Sequence, residues 1–319
     1  MMDELQKLNI EDLLNELRNR EQQKMESEDL TVHSTTKINN AVNLLTTKEL
    51  IDTATEKLEA IYDTDDRVDL FRVNDKNIIE QADSVVSLFK NENIVDLGNG
   101  FSELKIKTTG ELYNFCRVEP FNDQPSGAFC TGFLVSSDII ATAGHCINES
   151  NLHEIRFIFG FRMLDEKTAQ TQIRNSEIYK GIKIIGHQLE NNGSDWALIK
   201  LNRKVNNHNP LQIRMNGIIS NQEKLHVIGH PIGLPVKYAG NAKVKKNEDS
   251  SFFLGSLDTY GGNSGSPVFN SKGVVEGILV RGATDFVSLG TCTVSFVCSD
   301  QTCEGESCTR TTEFASFLE

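Results

Sequence analysis

The sequence predicts an all-β protein preceded by an α-helical N-terminal extension, and three observations lead there. From about residue 80 onward the apolar residues come in short β-branched and aromatic runs, among them "DSVVSLF", "CTGFLVSSDIIATAG", "EIRFIFGFRM", "DWALIKL" and "FVSLGTCTVSFV". Gly, Asn, Asp and Pro punctuate those runs, which reads as many strands joined by tight turns, a sandwich or barrel and not alternating β-α units. Residues 1–80, in contrast, hold neither glycine nor proline and place leucines at helical spacing.

Within the extension, Leu5, Leu8, Leu13, Leu14 and Leu17 recur amid Glu, Asp, Lys and Arg, which gives one apolar stripe on a polar helix. A second helical stretch runs through "KINNAVNLLTTKELIDTATEKLEAIYD". The expected division is therefore 1–80 as a helical extension, prosegment or partner-binding hairpin, and 81–319 as the β domain. The last residues, "RTTEFASFLE", read as a short helical cap.

Composition narrows the function classes. A 319-residue chain with 38% hydrophobic and 24% charged residues can bury a core, and its length suits about two domains. No apolar run approaches the roughly 20 residues that cross a bilayer. The net charge is −13, and 19 acidic against 10 basic side chains in residues 1–80 account for most of it. Such a surface repels phosphate backbones and argues against nucleic acid as a partner. The N-terminus "MMDELQKLNIEDLL" lacks the basic start and apolar core of a secretory signal.

The seven cysteines form no CxxC pair, which argues against a zinc ribbon or a thioredoxin motif. Four of them, Cys292, Cys298, Cys303 and Cys308, crowd a Gly/Ser/Thr-rich stretch, a density suited to disulfides in a secreted or periplasmic setting. That reading conflicts with the missing signal. The four could pair among themselves, or one could pair with Cys116, and an odd total leaves at least one thiol unpaired in a monomer. Asn148 and Asn192 sit in N-x-S sequons, which matter only in a glycosylating pathway. His226 and His230, four apart in a strand-like run, read as structural. No HExxH or phosphate-loop motif is present, so neither metal nor cofactor is expected.

Three stretches carry chemistry. "ATAGHC" (141–146) ends a strand-like run with His145 and a thiol. "NGSDWALIKL" (192–201) places Asp195 at the head of an apolar strand, where a carboxylate can be half-buried and aimed at a neighbour. "GGNSGSPVF" (261–269) sets Ser264 in a glycine-rich turn able to present consecutive N–H groups outward. A hydroxyl beside such donors is what attack on a carbonyl needs. An α/β-hydrolase elbow is excluded, because G-x-S-x-G fails at Ser266 and the order is His, Asp, Ser.

That order on an all-β background resembles the trypsin/chymotrypsin-like serine peptidases from about residue 84 onward, and "LHVIGHPIGLPV" is most similar to their bacterial glutamyl-endopeptidase-like branch. The resemblance implies two six-stranded antiparallel β-barrels, the first over about 84–205 and the second over about 206–305, with the active site between them. It implies a triad of His145 (general base), Asp195 (its orienter) and Ser264 (nucleophile), an oxyanion hole from the N–H groups of Gly262 and Ser264, and a Cys130–Cys146 disulfide. It also implies a specificity pocket based on Asp258, six residues before the nucleophile, and lined by Thr259 and Gly282. An acid there would favour Arg or Lys on the acyl side of the cut bond. Two departures stand out. The glutamyl branch's histidine is replaced by Leu279, against Glu specificity, and Asn263 precedes the serine where zymogen-activated members carry an aspartate. A serine endopeptidase acting on protein or peptide substrates is the expected function. The alternatives are a catalytically silent, protease-shaped binding module, or a peptidase delivered to a partner, or inhibited, by residues 1–80.

Overall fold

The computed structural model describes Glu16 and residues 65–190, 193–282, 286–295 and 305–318. The helical reading of residues 1–64 therefore lies outside the described residues, Glu16 apart, as do Cys298 and Cys303. The chain divides into two compact units, and the larger (Asp65–Thr108, Gln124–Ala283, Glu304–Glu319) holds both barrels.

The first barrel is built from β1 (Val85–Lys90), β2 (Cys130–Ser136), β3 (Ile139–Thr142), β4 (Ile155–Phe159), β5 (Ile178–Leu189) and β6 (Asp195–Leu201). They close in the order β5-β6-β3-β2-β1-β4, each pair antiparallel. The run "CTGFLVSSDIIATAG" breaks at Ser137–Asp138 and folds on itself, with Ser136 opposite Ile139 and Gly132 opposite Thr142. The barrel's strands carry large apolar side chains such as Phe133, Phe157, Leu198 and Ile199, all fully buried. Truncating a buried Phe of this kind to Ala typically costs about 3–5 kcal/mol.

The second barrel comprises β7 (Lys224–Gly229), β8 (Lys237–Lys246), β9 (Phe252–Gly255), β10 (Pro267–Asn270), β11 (Val275–Arg281) and β12 (Glu306–Arg310). Its order is β8-β7-β10-β11-β12-β9, closed by pairing of β9 with β8. Its core gathers Leu225, Val227, Phe253, Val268, Leu279 and Cys308. The all-β expectation of two six-stranded barrels is met. The C-terminal cap is not one helix but two 3-10 turns, Thr311–Glu313 and Ala315–Phe317.

Residues 65–80, assigned from sequence to the helical extension, are instead built onto the second barrel. Val68–Asp69 pair with Tyr238 and Lys237 of β8. A 3-10 turn (Leu70–Arg72) follows, then helix α1 (Lys76–Ala82), capped by the Asp75 side chain, which accepts the Asn77 N–H at 2.9 Å. The predicted boundary near residue 80 falls inside this helix. The cause is non-local: the buried Lys237 ammonium donates to Asp69 and to the Gln124 side chain, and no periodicity within 65–80 signals that partner.

The smaller unit is considered by itself. It contains helix α2 (Thr109–Tyr113), a hairpin of Phe286–Ser288 with Thr293–Ser295, and the disulfide Cys116–Cys292. Phe115 stacks on Tyr113 and leans on Phe286. Of the two cysteine arrangements left open by the sequence, pairing with Cys116 is the one observed, and Cys308 is a buried free thiol whose pKa burial pushes well up. Among the described residues no helix is long and apolar enough to cross a membrane.

Candidate active site

His145 sits in a 3-10 turn (Gly144–Cys146) just past the end of β3, its side chain 37% exposed while Gly144 and Cys146 are buried. Asp195 opens β6 and is 2% exposed. Its carboxylate takes two bonds from the same residue, the His145 backbone N–H to Oδ1 at 3.1 Å and ring Nδ1 to Oδ2 at 2.8 Å. A carboxylate only accepts, so this contact puts the ring proton on Nδ1 and leaves Nε2 with its lone pair. The Asp195 N–H in turn donates to Thr309 Oγ1 at 3.1 Å, which fixes the start of β6 against β12.

Ser264 lies in the turn before β10. A cavity of about 390 Å³ is lined by His145 and Ser264 together with the disulfide Cys130–Cys146, so the chain brings the histidine and serine motifs to one wall. The loop is held from the first barrel by one residue. Thr131, fully buried in β2, donates its N–H to the Ser264 carbonyl at 2.8 Å and its hydroxyl to the Gly262 carbonyl at 2.9 Å. The same hydroxyl accepts the His230 N–H at 3.1 Å. Gly265 has φ +94°, and a Cβ there would overlap the Thr131 carbonyl oxygen. Only glycine fits such a left-handed, crowded position.

The loop's N–H groups alternate in use. Asn263 donates to Tyr260 O at 3.0 Å and Gly265 to Leu279 O at 2.7 Å. Among the described residues neither the Gly262 nor the Ser264 N–H donates to a protein acceptor. Those are the two donors expected to hold an oxyanion.

The specificity residues are arranged differently from expectation. The Arg281 guanidinium donates to the carbonyls of Glu190 and Gly193, while Asp258 lies against Asp66. Its carboxylate is bonded by the side chain and backbone N–H of Asp66, and burial together with the nearby acid Asp65 raises its pKa. Asp66 is pushed up to about 8, by burial first and then by the Asp258 charge. The neighbouring Arg67 is buried, stacks 4.0 Å above the Tyr260 ring and pairs through two bonds of 2.8 Å with Asp65. Thr259 and Gly282 meet elsewhere, at Glu306: the Thr259 hydroxyl donates to Glu306 Oε2 at 3.0 Å, and a Cβ on Gly282 would overlap that carboxylate. Leu279, at the position of the glutamyl branch's histidine, faces the second-barrel core. His230 is fully buried with Nδ1 2.8 Å from Leu234 O, and His226 stacks on Phe269, both structural as expected.

Sequence reasoning missed Thr131, Thr309 and Glu306. A polar residue in the apolar "CTGFLV" run was a signal for Thr131. For Thr309 and Glu306 no local signal exists, because their partners are more than 40 residues distant.

Comparison with known proteins finds partial likenesses. Residues 130–278 match the family model described as a trypsin-like peptidase domain. Granzyme-like protein 2 of Rattus norvegicus is 32% identical over 94 residues, which cover 28% of this chain and 31% of that protein, so the chain matches only about a third of the curated relative's length. Human heparin binding protein superposes with a TM-score of 0.49 at 13% identity, over 75% of this chain and 91% of that one. Neuropsin, a serine protease expressed in the limbic system of mouse brain, superposes with a TM-score of 0.47 at 15% identity, over 75% and 94%. The chain is thus similar to trypsin-like peptidases across the segment that contains His145, Asp195 and Ser264.

Proposed function

We propose that this chain is a serine endopeptidase that cleaves peptide bonds through His145, Asp195 and Ser264. The observation that carries the reading is the pairing of His145 Nδ1 with the buried Asp195 carboxylate at 2.8 Å, on the wall of a cavity shared with Ser264. With Nδ1 protonated, Nε2 takes the proton as Ser264 Oγ attacks the substrate carbonyl carbon. The carbonyl π electrons move to oxygen, where the uncommitted N–H groups of Gly262 and Ser264 receive the charge. Collapse of this adduct expels the amine, which takes the proton from His145, and an acyl-serine remains. Water, deprotonated by His145, attacks the ester and releases the acid and the free hydroxyl. Asp195 holds the ring in place and offsets the imidazolium charge in both halves.

The finer assignments belong to the same proposal. Membership of the bacterial glutamyl-endopeptidase-like branch is supported by "LHVIGHPIGLPV" and by Asn263. Preference for Arg or Lys on the acyl side is supported by the acidic residues around Thr259 and Gly282. The test is hydrolysis of a pool of unstructured peptides by the wild type, Ser264→Ala and Asp195→Asn. Cleavage that vanishes in the first variant and slows by about 10³–10⁴ in the second is expected. Wild-type protein that is folded yet cleaves nothing would sink the reading in favour of a protease-shaped binding module.

A further inference from the structure

We propose that the outer face of the first barrel around Lys180, Lys183 and Lys204 is a docking surface for an extended acidic segment of a partner protein, with Ile182 as its apolar anchor. The surface lies outside the cavity of His145 and Ser264, and the proposal stands whether or not the chain is a peptidase.

Strand pairing brings the cations together. Lys180 of β5 lies directly opposite Arg156 of β4, and Lys183 of β5 directly opposite Lys200 of β6. Side chains opposed in this way share one face at about 4.5–5.5 Å between Cβ atoms, so like charges there repel. Lys180 and Lys183 are exposed, which puts that face on the outside of the barrel. Lys204, also exposed, follows the end of β6, where the Asn202 side chain accepts the Lys180 N–H at 2.9 Å. The acids close by are already engaged, Asp138 with Lys200 at 2.7 Å and Glu177 with His208 at 2.8 Å. Among the described residues Lys180, Lys183 and Lys204 have no carboxylate partner. In a chain with 45 acidic against 32 basic side chains, this surplus of positive charge is a local feature that composition does not produce.

Ile182 decides the kind of occupant. The pairing of β5 with β6 slips between Gly181 and Lys183, and the extra residue of this bulge, Ile182, is left 53% exposed between the two lysines. Along the strand Lys180 and Lys183 stand roughly 10 Å apart, the distance between acidic side chains two or three residues apart on an extended segment. A peptide whose acids flank an aliphatic residue therefore meets the charges and the anchor together. A sulfated glycan would satisfy the lysines and leave Ile182 in water. Single exposed ion pairs contribute little, so the affinity rests on several acting together and falls as salt rises.

The experiment is fluorescence anisotropy with a short labelled peptide of repeating Glu-Glu-Leu, titrated with the Ser264→Ala chain so that cleavage cannot consume the probe. Controls are the same peptide with Gln for Glu or Ser for Leu, and dextran sulfate as a competing polyanion. The Glu-Glu-Leu peptide is expected to bind at low salt. Reversing Lys180, Lys183 and Lys204 together to Glu weakens it by roughly tenfold or more. Ile182→Ser weakens it by roughly threefold or more and leaves dextran sulfate unaffected. Reversing the exposed Lys76, Lys107 and Lys272, which changes the net charge equally, alters binding by less than about threefold. Melting temperatures confirm that each variant is folded. The inference is overturned if the peptide does not bind, if the two triple reversals weaken it equally, or if Ile182→Ser has no effect. Binding of dextran sulfate without binding of the peptide also overturns it, in favour of a glycan.

Discussion

Thr131→Val removes one oxygen from the centre of the site and tests whether the first barrel holds the nucleophile loop. The valine keeps the threonine's shape in a fully buried position, so packing is nearly unchanged. What disappears is the hydroxyl that donates to the Gly262 carbonyl at 2.9 Å and accepts the His230 N–H at 3.1 Å. Both backbone groups are left without these partners, and His230 is itself buried. At about 1–3 kcal/mol for the buried His230 N–H and about 1 kcal/mol for the half-buried Gly262 carbonyl, the expected loss is about 2–4 kcal/mol. For a domain of this size that corresponds to a melting temperature lower by roughly 5–15 °C. Because the Gly262–Ser264 turn also loses a tether, fluorophosphonate labelling at a temperature where both proteins are folded slows by about tenfold or more. Thr131→Ser, which keeps the hydroxyl, labels close to the wild-type rate. A Thr131→Val protein that melts within a degree of wild type and labels equally fast would refute the reasoning.

Three further outcomes follow from the same geometry. Gly265→Ala forces a Cβ into the Thr131 carbonyl at φ +94°, so soluble folded protein is lost or melting falls by more than for Thr131→Val, as thermal unfolding reads out. Replacing Cys130 and Cys146 together by serine removes a bridge across 16 residues and costs about 3 kcal/mol, read as a lower denaturant midpoint. Stability against pH has two opposed limbs. His226 and His230 are held down to about 4 by burial, so the unfolded chain binds more protons and stability rises from about pH 4 to the ordinary histidine range. Asp66, pushed up to about 8, binds a proton only when folded; its contribution is present below the ordinary carboxylate range and is lost as pH rises through about 8. The curve should therefore peak near neutrality, and Asp66→Asn should flatten its alkaline limb while steepening the rise on the acid side.

Much of this site was legible because its chemistry is local. His145, Asp195 and Ser264 each sit in a short stretch whose residue types carry the task proposed for them, and their order excludes the α/β-hydrolase arrangement. The strands were legible from their β-branched and aromatic runs broken by turn residues. What escaped was every feature fixed by a distant partner. Residues 65–80 look polar and helical, yet Asp69 belongs to a buried Lys237 and Arg67 to the Tyr260 ring. Asp258 was expected to meet a substrate, and it meets Asp66. Glu306 gave no sign in "CEGESC", since only the folding of β12 beside β11 brings it to Gly282. Tertiary pairing decides such positions, and a single sequence holds no record of it.

The most direct measurement of the central claim is intact mass and peptide mapping after exposure to a fluorophosphonate, for wild type and Ser264→Ala. The account predicts one adduct per chain, located on Ser264 and absent from the variant. Folded wild-type protein that forms no adduct, or forms it on another serine, would contradict it.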